Sequence, residues 1–179
     1  MAAVPRAGFL PARQRRLAGD DRPLPIGEGQ TSSQPRTVAA MLRLLDVRTG
    51  HRVLDVGAGS GWTTALLAHL VGPTGSVVGV ELSPVLARWG AANVAASGQP
   101  WAELREAAPG VLGAPDDGPY DRVLVSAEAR AMPSALVDQL APGGVMVVPV
   151  AGTMHRVRRD GAGEVTTTTH GAYRFVPLR

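Results

Sequence analysis

Four consecutive polar side chains stand directly before a predicted helix, within the segment Leu24–Pro35. These side chains belong to Gln30, Thr31, Ser32 and Ser33. Small hydroxyl and amide groups can donate hydrogen bonds to a bound substrate. No histidine and acid accompany Ser33 in a recognisable arrangement, so the segment does not indicate a hydrolase triad. A simpler interpretation is that Ser33 is only the N-cap of the helix, with Pro35 in the first turn.

The glycine-rich stretch Val53–Gly61 is the second feature that could do chemistry, because it follows a short apolar strand. Glycines in such a turn let the backbone approach a ligand closely. Their G-x-G-x-G spacing differs from the G-x-G-x-x-G of dinucleotide-binding enzymes. Asp55, two residues before the first glycine, would repel a phosphate but would attract an ammonium group. The stretch therefore predicts a cofactor that carries an amino group and no phosphate.

Glu81 lies twenty residues after Gly61 and ends the second predicted strand. A carboxylate in this position can accept hydrogen bonds from both hydroxyls of a ribose. An amino-acid end, a ribose and no phosphate together describe S-adenosylmethionine, and the pattern resembles the Rossmann-like methyltransferases that use it. The predicted cofactor-binding residues are Asp55, Gly57, Ala58, Gly59, Ser60, Gly61, Glu81 and Leu82.

Hydrophobic periodicity predicts that strands and helices alternate along the chain. The predicted strands are 52–56, 76–80, 101–106, 122–126 and 145–150, followed by a hairpin of 156–159 with 164–169. The predicted helices are 36–45, 62–71, 84–96 with Ser83 as its cap, and 133–140. This order predicts an α/β fold, a doubly wound sheet with antiparallel strands at one edge. Residues 1–34 are expected to form an arm that covers substrate and cofactor, with one short helix near 12–18. Residues 35–179 are expected to form the single Rossmann-like domain.

Composition excludes several classes of function. The chain has 179 residues of which 45% are hydrophobic, enough for one domain with a real core. The absence of cysteine excludes disulfides and thiolate metal sites, and the four scattered histidines lack ligand spacing, so we expect no metal. No apolar run is long enough for a membrane span, and the N-terminus does not read as a signal peptide. A cytoplasmic protein is therefore expected.

The net charge of +3 resides in residues 1–22, which hold five arginines and two aspartates. A basic arm can bind nucleic acid. Here Phe9 is the one aromatic residue among the arginines of residues 1–22, so we interpret them as a solvated surface and expect no nucleic-acid partner.

Taken together, these motifs resemble those of the protein-L-isoaspartate O-methyltransferases. Leu24–Pro35 matches the family signature L-P-I-G-x-G-Q-T-I-S-Q-P, with Ser32 in place of isoleucine. Further matches follow in order, and they are the glycine-rich stretch, Pro119-Tyr120-Asp121, Asp138-Gln139-Leu140, Arg156–Arg159 and Phe175-Val176-Pro177-Leu178. The likeness spans nearly the whole chain.

This resemblance implies an enzyme that methylates the α-carboxylate of L-isoaspartyl residues in damaged proteins or peptides. The ester then closes spontaneously to a succinimide, which opens partly to normal aspartate. The resemblance also implies that Ser33 is the active-site serine and that Gln30, Thr31 and the Phe175–Leu178 region line the cleft. We expect a monomer with no membrane partner.

One departure from the family pattern concerns the adenine. The family usually has G-D-G after the third strand, with the Asp on the adenine amino group. Here the corresponding residues are Ala108-Pro109-Gly110. Glu106 is close but out of register, so either adenine is held by backbone groups or packing, or the affinity for the cofactor is weakened.

Alternative functions stay open from sequence alone. A relative of these enzymes could esterify an aspartate side chain in one dedicated precursor peptide, although an ending at Arg179, without an added C-terminal region, favours repair. A non-catalytic relic that only binds the cofactor is a second alternative, against which Ser33, Asp55 and Glu81 argue. A small-molecule methyltransferase is a third, weaker alternative, because such enzymes rarely share the Leu24–Pro35 signature.

Overall fold

A seven-stranded sheet forms the centre of the computed structural model, which describes residues 3–179. Its strands are β3 (Arg52–Val56), β4 (Ser76–Glu81), β5 (Ala102–Glu106), β6 (Tyr120–Val125), β7 (Leu140–Val150), β8 (Thr153–Arg159) and β9 (Val165–Ala172). They are arranged in the order β5-β4-β3-β6-β7-β8-β9. The first five strands run parallel, and β8 and β9 each pair antiparallel with the strand before them. This confirms the predicted doubly wound sheet with its antiparallel edge.

Helices cover both faces of the sheet. They are α1 (Pro35–Leu45), α2 (Trp62–Val71), α3 (Pro84–Ala96) and the short α4 (Ser134–Val137). Met41 of α1 and Leu67 of α2 pack with Leu124 on one face, while Leu136 of α4 packs with Val123 on the other. Because successive side chains of a strand point to opposite faces, burial on both sides requires the continuous apolar runs seen here.

The first part of the chain packs onto this core and is not a free arm. It contains two 3₁₀ turns, Arg6–Phe9 and Ala12–Leu17, and a two-stranded hairpin that the sequence analysis did not predict. The hairpin strands are β1 (Leu24–Gly27) and β2 (Gln30–Ser32). Leu10 and Leu24 are fully buried against Leu86 of α3. Met1 and Ala2, which also belong to the predicted arm, lie outside the described residues.

The predicted helix over 133–140 was wrong beyond its first turn. Leu140 pairs with Tyr120 and starts β7, and the buried Gln139 side chain bonds the backbone of the loop before β6. Its amide donates to the carbonyls of Leu112 and Ala135 and accepts from the Ala114 N–H. These tertiary contacts override the local helical preference.

The topology also fixes where a ligand can bind. The chain runs outward from β3 through β4 to β5, then returns to place β6 on the other side of β3. Ligands of such sheets bind at the carboxyl ends of the strands where this reversal occurs. The glycine-rich stretch, Glu81 and Ser126 all follow or end strands at this edge.

Candidate cofactor and substrate site

A cavity of about 740 Å³ opens at the carboxyl ends of β3, β4 and β6. This volume lies within the range of ligand sites that bury most of a nucleoside-sized molecule. Its floor includes Gly57, Glu81 and Ser126, and its walls come from four segments. These segments are the β1–β2 hairpin (Ile26, Glu28, Gln30, Thr31), the loop after β5 (107, 108 and 110–113), the segment after β6 (127, 129–131 and 133) and residues 176–179.

Glu81 is held in a defined orientation at the cavity floor. The Gly59 N–H donates to its Oε2 at 2.9 Å and the Ser83 N–H donates to its Oε1 at 2.9 Å. Each carboxylate oxygen has two acceptor positions, so each keeps capacity for one further donor. Two fixed oxygens with one acceptor position each suit a vicinal diol such as a ribose, and their charge disfavours a phosphate. The site therefore fits a phosphate-free nucleoside cofactor.

The glycine-rich loop supplies backbone to two adjoining spaces. Gly57 and Gly59 line the cavity, and they also line a recess of about 30 Å³ beside it together with Ala58 and Ser60. Gly61 lines neither space.

Gly61 instead allows α2 and α3 to approach each other. A Cβ on this residue would lie 2.7 Å from the Val94 side chain and 3.0 Å from the Gly90 carbonyl oxygen. Leu82, next to Glu81, lines the main cavity.

Asp55 does not line the cavity, so the structure does not bring it into the direct contact with an ammonium group that its spacing suggested. Its Oδ2 accepts from the hydroxyls of Thr63 and Thr64, each at 2.7 Å. Its Oδ1 is buried and has no partner among the described residues. Burial raises the pKa of the Asp55 carboxyl to about 6, although the threonine hydrogen bonds act in the opposite direction.

This raised pKa predicts a pH dependence of stability. A carboxyl that binds its proton more tightly when folded makes the folded state more stable below its unfolded pKa, and this contribution is lost as the pH rises through about 6. Relative to Asp55→Asn, we expect the parent protein to lose up to about 3 kcal/mol of unfolding free energy between pH 4 and pH 7. Urea titrations of both proteins across this range measure the difference. A difference that does not change with pH would show that Asp55 ionises as readily folded as unfolded.

Ser33 is not the helix cap that the sequence suggested. Helix α1 begins at Pro35, its N-cap residue is Gln34, and Ser33 lies one residue earlier. The exposed Arg36 N–H of the first turn is satisfied by Asp21 Oδ1 at 2.9 Å, a contact from outside the local sequence. The prediction that Pro35 stands in the first turn is confirmed.

Ser33 lines the small recess beside Gly57, Gly59 and Thr63. No group within residues 3–179 hydrogen-bonds its hydroxyl, whereas the Ser33 carbonyl accepts from Arg6 at 2.9 Å. Thr31 lines both the recess and the main cavity, and Gln30 lines the main cavity. Gln30 and Thr31 therefore share the main cavity with Glu81, while Ser33 shares the adjoining recess with Gly57 and Gly59.

Several lining residues were missed by sequence reasoning. Ser126 and Arg130 follow β6, and Val111 and Leu112 form the wall after β5. The strand-end rule could have found Ser126, because it ends the predicted parallel strand 122–126. The others depend on how loops fold back over the sheet.

The loop after β5 contains Ala108-Pro109-Gly110, the residues that correspond to the family's adenine-binding G-D-G. Ala108 and Gly110 line the cavity, but Pro109 and Glu106 do not. Glu28 and Glu81 are the carboxylate side chains that line the cavity within the described residues.

Within residues 3–179, no three His, Asp or Glu side chains lie together in a way that could hold a metal ion. No helix in these residues has the length and apolarity needed to cross a membrane.

Comparisons with known proteins show which family the sequence matches. The profile of the family described as protein-L-isoaspartate(D-aspartate) O-methyltransferase matches residues 1–179. A protein-L-isoaspartate O-methyltransferase of Methanopyrus kandleri is 45% identical over 99% of this chain and 80% of its own length. A protein-L-isoaspartate O-methyltransferase 1 of Rhodopseudomonas palustris is 43% identical over 99% of this chain and 73% of its own length.

Solved structures share the fold. One named protein-L-isoaspartate O-methyltransferase superposes with a TM-score of 0.87 at 26% identity, covering 98% of this chain and 58% of its own. A Plasmodium falciparum structure, described as a putative protein-L-isoaspartate O-methyltransferase in complex with S-adenosyl-L-homocysteine, has a TM-score of 0.83 at 23% identity. It covers 99% of this chain and 87% of its own.

Proposed function

The chain belongs to the protein-L-isoaspartate(D-aspartate) O-methyltransferase family, and we propose that the cavity at the carboxyl ends of β3, β4 and β6 is its active site. The enzyme transfers a methyl group from S-adenosylmethionine to the α-carboxylate of L-isoaspartyl residues in damaged proteins or peptides, which starts their repair through a succinimide. The observation that carries the active-site proposal is the convergence of Gln30, Thr31, two loop glycines and Glu81 on one cavity, with Ser33 in the recess that adjoins it.

S-Adenosylmethionine supplies an electrophilic methyl group when it is bound. Glu81 would accept the ribose hydroxyls with the oxygen positions that Gly59 and Ser83 leave free. Gly57 and Gly59 would let the backbone contact the cofactor, and Leu82 would pack against it. For Asp55 we propose a positioning role, because its carboxyl holds the first turn of α2 through Thr63 and Thr64 directly after the loop.

Ser33, with Thr31 and Gln30, would orient the substrate. A carboxylate is already ionised at pH 7, so its methylation needs no strong general base. The protein must instead align the carboxylate with the methyl group and exclude water from it. The Ser33 hydroxyl has no partner among residues 3–179 and is available for this task, whereas a guanidinium at the same place would stabilise the carboxylate and weaken it as a nucleophile.

We expect weak discrimination at the adenine amino group. Pro109 stands where the family has an acid, and the loop wall offers Ala108, Val111 and Leu112 in place of a carboxylate. Removing the exocyclic amino group from the ligand therefore leaves no buried acceptor unpaired, and the affinity should change by less than about tenfold. Calorimetry with S-adenosylhomocysteine and with its counterpart that carries unsubstituted purine in place of adenine measures this. A loss of several kcal/mol would mean that another acceptor reaches the amino group.

The proposal includes action as a monomer in the cytoplasm, for which light scattering of the full chain and fractionation of expressing cells are the tests. The activity itself is tested by labelled methyl transfer to an isoaspartyl peptide and its aspartyl twin. Esterification of the aspartyl twin would favour the dedicated-peptide alternative.

A further inference from the structure

Arg6 connects four separate segments beside the recess that holds Ser33. It is only 5% exposed, although it is one of the arginines that the sequence analysis assigned to a solvated surface. Its guanidinium makes five hydrogen bonds, with lengths of 2.9 to 3.1 Å. The acceptors are Ser32 Oγ and the carbonyl oxygens of Asp20, Arg22, Ser32 and Ser33.

Two of these bonds bear directly on Ser33. The Ser32 carbonyl belongs to the peptide plane that precedes the Ser33 Cα, and the Ser33 carbonyl belongs to the plane that follows it. Arg6 Nη2 donates to both, at 3.0 and 2.9 Å. Since two peptide planes define the φ and ψ of the residue between them, one nitrogen restrains both dihedrals of Ser33. The direction of its Cα–Cβ bond follows from those dihedrals.

The same guanidinium is linked to the cofactor loop. It lies 5.4 Å from the centre of the Trp62 ring, a distance suited to a cation–π contact. Trp62 is the first residue of α2, directly after Gly61, and its indole N–H donates to the Val4 carbonyl at 3.1 Å. The position of Ser33 is therefore set relative to the glycine loop through Arg6 and Trp62, and not only within its own segment.

We propose that Arg6 is a positioning residue that aims the Ser33 hydroxyl into the recess beside the cofactor loop. The proposal rests on the role assigned to Ser33 above. Arg6 does not line the cavity or the recess and so does not touch the reactants. It acts through the backbone of Ser32 and Ser33. A lysine there could supply charge but not donors on three nitrogens in one planar fork, of which Nη2 alone contacts three carbonyls.

Burial keeps this guanidinium away from water and lowers its pKa, while Asp20 and Asp21 act in the opposite direction. With Arg6 absent, up to four backbone carbonyls would lose their partner. A loss of stability is therefore expected for any substitution, and the test must separate stability from positioning.

The test compares kcat and KM of the parent with those of Arg6→Lys, measured well below the unfolding temperature of both. We expect kcat for an isoaspartyl peptide to fall by about 10- to 100-fold, because small misplacements of reacting groups cost this much. The Kd for S-adenosylhomocysteine should stay within about twofold, because Glu81 and the loop remain in place. The exposed Arg13, which has no side-chain hydrogen bond within the described residues, gives the matched control; Arg13→Ala should retain the parent kcat.

A second variant, Arg6→Ala, tests the guanidinium itself. Millimolar guanidinium chloride should restore part of its kcat, while the same concentration of sodium chloride should not. If Arg6→Ala does not fold, the double variant Arg6→Lys/Ser33→Gly takes its place. With the Ser33 hydroxyl gone, Arg6→Lys should lower kcat little further.

The possible failures are distinguishable. A parent-like kcat in Arg6→Lys, or a fall in cofactor affinity as large as the fall in kcat, would overturn the positioning role of Arg6 while leaving the function of the enzyme intact. Losses of kcat that simply add in the double variant Arg6→Lys/Ser33→Gly would also overturn the positioning role of Arg6. Full activity in Ser33→Gly alone would instead remove the role of Ser33, and the inference about Arg6 with it.

Discussion

Replacing Ser33 with glycine is expected to leave the protein folded and to lower kcat for isoaspartyl methylation by about 100-fold. The hydroxyl has no partner within residues 3–179 and Ser33 is not the N-cap of α1, so the change removes neither a capping bond nor a buried contact. The added backbone freedom should cost no more than about 1 kcal/mol of stability. Initial rates with saturating S-adenosylmethionine, together with urea denaturation, measure both effects.

Two further variants sharpen this experiment. Ser33→Ala should behave like Ser33→Gly in kcat and change stability by less than about 0.5 kcal/mol. Ser134→Ala removes an exposed hydroxyl in α4 that does not itself line the cavity, and should keep the parent kcat. Parent-like turnover in both Ser33 variants would return Ser33 to a structural role and shift attention to Thr31 and Gln30.

Replacing Glu81 with alanine should weaken cofactor binding by about 1–3 kcal/mol, or roughly 5- to 150-fold in Kd. The variant would lose the acceptors for both ribose hydroxyls and would also leave the N–H groups of Gly59 and Ser83 without their partners. Isothermal calorimetry with S-adenosylhomocysteine gives the affinity directly and does not depend on turnover.

Glu81→Gln keeps one carbonyl oxygen and should lie between the parent and Glu81→Ala in affinity. Glu106→Ala is the matched control, because Glu106 ends the neighbouring strand β5 but does not line the cavity. Unchanged affinity in Glu81→Ala would remove Glu81 from the site. A preference for NAD over S-adenosylmethionine would contradict the cofactor assignment as a whole.

The strands and helices of the central domain could be predicted from sequence because the signals that define them are local. Strand β3 and helices α2 and α3 have the predicted bounds, and Ser83 caps α3 by accepting the Leu86 N–H, as predicted. Each of these elements is a mainly apolar segment bounded by glycine, proline or a cap residue, so local preference and tertiary packing agree.

The N-terminal region could not be predicted in this way. Its hairpin is short, its turns are 3₁₀, and it is held by contacts between residues far apart in sequence, such as Arg6 with Ser33 and Asp21 with Arg36. An arginine in a basic stretch has no local signal that distinguishes burial from exposure. The N-cap of α1 was mispredicted for the same reason, the lack of a local signal. Ser33 has a suitable residue type, but the Arg36 N–H in the first turn donates to Asp21, which is distant in sequence.

In the candidate site, too, the positions that depend on local signals could be predicted and those that depend on tertiary packing could not. Glu81 and the glycine loop follow strands directly, so their convergence could be inferred from the strand-end rule alone. Asp55 also has the expected spacing, yet its side chain points into the protein and bonds Thr63 and Thr64. Spacing predicts where a residue lies along a strand end, but the packing of α2 determines which space its side chain enters.

The central claim is tested most directly by one rate comparison. The full chain is incubated with S-adenosylmethionine labelled in its methyl group and with two peptides that differ only in an isoaspartyl or an aspartyl residue. The account predicts a base-labile methyl ester on the isoaspartyl peptide and none above background on its twin. Esterification of the aspartyl peptide at an equal or higher rate would contradict it. Absence of transfer to either peptide, while S-adenosylhomocysteine still binds, would contradict it as well.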